Sequence, residues 1–287
     1  MNDKKTLLII GDQKNYINLD DVAEFGIGEV RDVPIAEFRN IIMADNFNVD
    51  NTVFIKGFAE TEDYIRPILS LNKKLNNADK PAAPGSAAAG KKPRRTDWLT
   101  LCILLWNPNR PSEKPVIVTD AGIIPDPNLT QKKAITKNAI AFARNIGLSE
   151  NPIVNFMTIS SSTDQNVKSS RDTEKLEKWL ARAEPGARAT HYADDPILSE
   201  AARRNKNIDD FTAPDIIVCH YIEQAQAEYK LRVHLGGYHA ATLVGGCNKR
   251  IRAVLNSRGD SKEIKVESIA VACMGWPAFA DRMRHTK

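Results

Sequence analysis

Apolar and polar positions along this chain switch repeatedly between two patterns. Short, nearly unbroken apolar runs read as buried strands: TLLIIGD (Thr6–Asp12), NTVFIKGF (Asn51–Phe58), WLTLCILLW (Trp98–Trp106), PVIVTDAG (Pro115–Gly122), PIVNFMTIS (Pro152–Ser160), PDIIVCHY (Pro214–Tyr221), AATLVGG (Ala240–Gly246) and RAVLN (Arg252–Asn256). Between them, apolar residues recur at helical spacing. Ile35, Phe38, Ile41 and Ile42 mark one helix, and a short helix fits Asp21–Phe25. TEDYIRPILSLNKKL opens on Thr61 and acidic residues, a helix start, and Pro67 is expected to kink it or confine it to early turns. Leu129–Leu148 is amphipathic and closed by Gly147; Ser170–Ala183, Asp194–Asn205, Glu223–Leu235 and Lys262–Trp276 read as further helices. WLTLCILLW and PVIVTDAG, joined by NPNRPSEK, read as an antiparallel pair.

Strands alternating with helices predict an α/β fold with largely parallel sheets, helices on both faces and a ligand at the carboxyl ends of the strands. One stretch breaks the pattern: residues 76–95, NNADKPAAPGSAAAGKKPRR, have no apolar period and read as a mobile insertion. Its KKPRR end is the only feature that points to nucleic acid, and a solvated loop is the simpler reading.

Composition narrows the picture. With 287 residues, 42% hydrophobic and 26% charged, the chain suits two α/β domains or one large one. A net charge of +4 fits a small anionic ligand and is too weak to argue for nucleic acid. Cys102, Cys219, Cys247 and Cys273 have no metal-ligand spacing, and three of them sit in apolar runs, as buried free thiols do. The apolar run at the N-terminus is too short for a signal segment and no run is long enough to cross a bilayer, so a cytoplasmic, membrane-free protein is expected.

Loops after strands are where chemistry collects in such folds. They carry Thr61 and Arg66, then Asp126, then Ser160 to Thr163, then Ser257 and Arg258. Hydroxyls, helix N-terminal amides and guanidinium groups are what a phosphate requires. Thr61 also reads as a plain helix cap and Ser160–Thr163 as loop solvation. Arg-Gly-Asp at 258–260 raises an adhesion reading that an intracellular chain does not support. GIGEVRD (Gly26–Asp32) lacks the third glycine and the leading strand of a dinucleotide fingerprint.

The order of these pieces, from VFIKGFAETEDYIRPIL through KPVIVTDAGIIPDPNL and DDPILSEAARRNKNI to LNSRGDSKEIKVESIAVA, resembles the phosphate acetyltransferase and phosphate butyryltransferase family over roughly residues 30 to 275. The resemblance implies two α/β domains of the isocitrate-dehydrogenase-like kind with a cleft between them: residues 1–124 with 246–287, and 125–245. It implies reversible acyl transfer between coenzyme A and inorganic phosphate, with coenzyme A as substrate, no permanent cofactor or metal, and a homodimer. The thiol, with an ordinary pKa of about 8.5, requires a base. Carried over by position, Arg258 holds phosphate, Ser257 donates to the carbonyl or sulfur, Arg66 is a second anion clamp and Glu263 is the candidate base. An acetyl-type pattern places the acid one residue later, at Ile264. Thr61, Asp120, Ser160, Ser161 and Asp194 fall at substrate-binding positions. The chain departs from the family pattern at RAT (Arg188–Thr190) and EQAQ (Glu223–Gln226). Those departures define the alternative, a catalytically impaired relative that binds coenzyme A, an acyl phosphate or a partner.

Overall fold

The computed structural model describes residues 4–11, 17–79, 98–158, 166–190 and 213–285. In chain order its elements are β1 (Lys5–Ile10), a 3-10 turn (Ala23–Phe25), β2 (Ile27–Val33), α1 (Ile35–Met43), β3 (Thr52–Lys56), α2 (Thr61–Ala78), β4 (Thr100–Trp106) and β5 (Val116–Thr119). These are followed by α3 (Leu129–Asn145), β6 (Ile153–Phe156), α4 (Lys168–Ala183), β7 (Arg188–Ala189), β8 (Ile216–Val218), α5 (Ile222–His234), β9 (His239–Gly245), β10 (Arg252–Val254) and α6 (Lys262–His285).

All the described strands join one sheet in the order β2-β1-β3-β10-β9-β4-β5-β8-β6-β7. β2, β1, β3 and β10 form one parallel block, and β5, β8, β6 and β7 form another. β9 and β4 lie between them, antiparallel to each other and to their outer neighbours, so the two blocks run in opposite directions. The expected antiparallel pair is β4–β5; the ladder that joins the blocks, β4–β9, has no signature in sequence order.

Helices cover both faces. Ile135 and Ile140 of α3, Leu176 and Leu180 of α4, and Ile269 of α6 pack on one face with alternate strand residues such as Leu104, Ile117 and Val218. Phe38 of α1, Tyr64 and Ile68 of α2, and Ala225 of α5 pack on the other with Leu101, Ile103 and Leu105 of β4 and with Val118. The period-2 alternation of a strand thus feeds two cores. Among the described residues no helix is long and apolar enough to cross a membrane.

Local departures from the pattern have physical causes. α2 runs for 18 residues, through Pro67 and on to Ala78, because Tyr64, Ile68, Leu71 and Leu75 bury one continuous face that outweighs the lost backbone hydrogen bond. The expected insertion therefore begins as helix to Ala78, and residues 80–97 lie outside those described. β2 is an edge strand with alternating exposure, which hid its apolar signal. α3 starts with a reciprocal capping box between Asn128 and Gln131.

Asp215 anchors the second block. Its carboxylate accepts from the Ile153 N–H at 2.8 Å and pairs with Lys114 at 2.8 Å, while the residue is 1% exposed. Replacing it with alanine leaves a buried donor unpaired. Asp215→Ala is expected to lower unfolding free energy by about 3 kcal/mol, read from urea denaturation; a loss below about 1 kcal/mol would contradict this account.

Candidate active site

A cavity of about 310 Å³ opens against β4 and β9, where the two blocks meet. Leu101, Ile103 and Leu255 give it an apolar wall. Its polar groups come from the β3–α2 connection (Lys56, Glu60, Thr61), from α5 (Gln226, Tyr229, Lys230) and from the turn between β10 and α6 (Asn256, Ser257, Arg258, Asp260). Ala121 and Gly122, which follow β5, complete the lining. Chain that leaves strands of both blocks therefore converges here.

The turn is held from inside. Asp260, 2% exposed, accepts from the Ser257 N–H at 2.7 Å, from the Tyr229 hydroxyl at 2.5 Å and from Asn256 Nδ2 at 3.4 Å. Asn256 Nδ2 also donates to Thr242 Oγ1 at 2.7 Å on β9. Burial and the adjacent Asp260 carboxylate push the Tyr229 hydroxyl well above its ordinary pKa, so it stays a donor. With its interior fixed, the turn presents Ser257 outward, and Arg258 pairs with Glu60 across the cavity rim.

Lys56 ends β3 and is 5% exposed. Its ammonium donates to the carbonyls of Gly57 at 3.3 Å and Ala59 at 3.1 Å. Burial, and then the charge of Arg258, lower its pKa. Gly11, at the end of β1, makes this loop possible: its φ is +86°, and a Cβ there would lie 2.8 Å from the Ala59 nitrogen.

The sequence-derived candidates fall out as follows. Ser257, Arg258 and Thr61 meet at the cavity. Thr61 is the first helical residue of α2 rather than its cap; Glu60 holds the cap position. Arg66 does not reach the cavity. Five residues on from Thr61 places it about 140° round the helix, where it pairs with Glu62 and lines a separate hollow with Arg39 and Asp63. Glu263 is also absent from the lining. Helix α6 begins at Lys262, and its phase turns Ile264 and Lys265 inward. Glu263 instead stands with Glu267 and His239, whose potential ligand atoms lie within 4.8 Å of one another and could hold a cation. Asp120 is 3% exposed, and its carboxylate is occupied by the N–H groups of Leu101, Gly122, Ile123 and Ile124. It shapes the chain that lines the cavity rather than lining it. Ser160, Ser161 and Asp194, with the helix expected at Asp194–Asn205, lie outside the described residues.

Sequence reasoning missed Lys56, Tyr229, Lys230 and Asp260. The available signal for Lys56 was a single charge ending an otherwise apolar run; Asp260 was hidden inside Arg-Gly-Asp.

Fold and cavity together define an α/β protein with an anion-suited site where two sheet blocks meet. A branched-chain phosphotransacylase from Enterococcus faecalis shares the fold, with a TM-score of 0.70, 18% identity, and coverage of 98% of this chain and 99% of that one. A phosphotransacetylase (EutD) from Staphylococcus aureus gives a TM-score of 0.58 at 14% identity, covering 94% of each chain. Residues 52–273 match the phosphate acetyl/butaryl transferase family, and the chain belongs to that family of transferases. A phosphate acetyltransferase from Thermotoga maritima is 30% identical over 166 residues, 56% of this chain and 55% of that protein, so the likeness spans about half of that relative. A phosphate butyryltransferase from Clostridium beijerinckii is 22% identical over 277 residues, 93% of this chain and 83% of the relative.

Burial raises the Asp120 carboxyl from 3.8 to about 6, against the opposing pull of its backbone hydrogen bonds. A carboxyl raised on folding disfavours the folded state once it ionises. Its contribution is neutral below the unfolded value of 3.8, turns unfavourable as pH climbs, and is complete above about 6. Carbon-13 NMR of the side-chain carboxyls is expected to show Asp120 titrating near pH 6; a midpoint at or below 3.8 would show that the four N–H groups dominate.

Proposed function

We propose that this chain moves a short acyl group between coenzyme A and inorganic phosphate, acyl-coenzyme A plus phosphate giving acyl phosphate plus coenzyme A, and that the reaction takes place in the cavity between β3, α5 and the β10–α6 turn. The observation that carries the reading is the meeting of Ser257, Arg258 and Thr61 in one cavity of a chain that belongs to this family. Arg258 binds the phosphate oxygens, which requires exchange of its Glu60 partner for the substrate. Ser257 donates to the carbonyl oxygen as it gains charge. The thiolate of coenzyme A adds to the acyl carbon, the tetrahedral adduct collapses, and phosphate leaves with the electron pair of the broken bond.

The aliphatic wall of Leu101, Ile103 and Leu255 and the 310 Å³ volume support a short acyl chain. Glu263 serves as base in this reading only for a thiol that arrives over the first turn of α6, since its carboxylate is exposed there. The reading keeps the division into residues 1–124 with 246–287 and 125–245, a homodimer, and a reducing cytoplasm. Burial pushes the Cys102 thiol up to about 12, which fits a structural role rather than a reactive one.

The test follows free thiol from acetyl-, propionyl- and butyryl-coenzyme A with phosphate. Release that depends on phosphate and falls about a hundredfold in Arg258→Ala is expected. Arg258 is half exposed, so the variant should melt like the parent. Folded protein that binds coenzyme A yet releases no thiol from any of the three would favour the impaired relative instead.

A further inference from the structure

We propose that Lys56 is the buried cation of the phosphate seat, its ammonium contacting a phosphoryl oxygen from the cavity floor while Arg258 contacts the same group from the rim. The proposal rests on the acyl-transfer reading for its substrate, and on the cavity's own geometry for the residue.

Three observations carry it. First, Lys56 lines the cavity although it is only 5% exposed, so the cavity is where a ligand can reach it. Second, the ammonium is fixed. Two of its three hydrogens go to the carbonyls of Gly57 and Ala59, which leaves one donor for a ligand. Third, the charged groups that face it leave its own charge undercompensated. From the β3–α2 loop comes Glu60, which Arg258 already holds. From the β10–α6 turn come Arg258 itself and Asp260, whose oxygens accept from Tyr229, Ser257 and Asn256. From α6 comes Lys265, a second buried ammonium, 4% exposed. A buried cation among committed carboxylates and further cations is costly until an anion arrives. A phosphate dianion supplies that charge, and three lysine or arginine side chains against two carboxylates in the lining favour it.

Lys56 thereby does what neither neighbour can. Arg258 stands half exposed at the rim and must exchange its Glu60 partner, whereas Lys56 fixes where the phosphate sits before the acyl carbon is attacked. This is preorganised electrostatic stabilisation of the leaving or attacking phosphate, according to direction.

The experiment measures inorganic phosphate binding by isothermal titration, together with acyl transfer, for the unaltered protein, Lys56→Gln and Lys56→Arg. Lys56→Gln is expected to weaken phosphate about tenfold to a hundredfold, leave coenzyme A affinity in place, and melt as the parent does. Lys56→Arg is expected to recover most of the loss. A second readout needs no neutral variant. Because the Lys56 pKa is lowered, part of it is uncharged at alkaline pH, and phosphate binding there should take up protons, seen as a heat that varies with the buffer. Lys56→Arg should abolish that uptake. Phosphate affinity unchanged in folded Lys56→Gln, or no proton uptake by the unaltered protein across the alkaline range, overturns the proposal. Phosphate binding that depends on Lys56 in a protein with no transferase activity would retain the seat and remove the acyl-transfer reading. No phosphate binding by the unaltered protein would remove both.

Discussion

Seven consecutive residue pairs between β4 and β9, from Thr100 with Gly245 to Trp106 with His239, hold together two parallel blocks that run in opposite directions. Every residue of β4 is buried. Without this ladder each half of the sheet would expose an unpaired edge strand, β9 on one side and β4 on the other, with its backbone donors and acceptors unmet. The ladder also sets the site. Because β5 runs opposite to β10, the chain leaving each can reach the same stretch of the β4–β9 face, and α5 closes over it. The cavity is a product of that reversal, which is why its lining comes from six separate parts of the sequence.

How much of this could be read from sequence depended on burial. Strands such as β3 and β4, covered on both faces, show as unbroken apolar runs and were legible. β2 was not, since an edge strand needs only one side apolar and its charged residues point to water. α2 ran past Pro67 because a proline's cost is local whereas its apolar face is shared with α1 and the sheet. In the site, Ser257, Arg258 and Thr61 were legible because each follows a strand directly. Arg66 and Glu263 lie within helices, where one residue of phase decides which way a side chain faces, and phase is fixed by packing rather than by order along the chain. The roles of Lys56 and Asp260 depend on partners that only folding brings to them: two carbonyls for one, and the Tyr229 hydroxyl, 31 residues earlier, for the other.

Two buried charges of opposite sign therefore organise one cavity in different ways. Asp260 is saturated by donors, so its charge is spent on fixing the turn and little remains for proton transfer. Lys56 has a donor left over and a charge that its surroundings resist. Position within a few ångströms of the same space does not give two ionisable groups the same task; the number of unfilled hydrogen-bond sites on each decides it.

Gly11 carries a consequence for how this chain can vary over time. Its positive φ and the 2.8 Å approach to the Ala59 nitrogen exclude a side chain on two independent grounds. Ala59 in turn supplies a carbonyl to Lys56. Neutral drift at position 11 is thus closed off, although the residue carries no functional group and sits at the end of a different strand. A related chain with a larger residue there would have to rebuild the connection from Gly57 to Glu60, and with it the floor of the cavity.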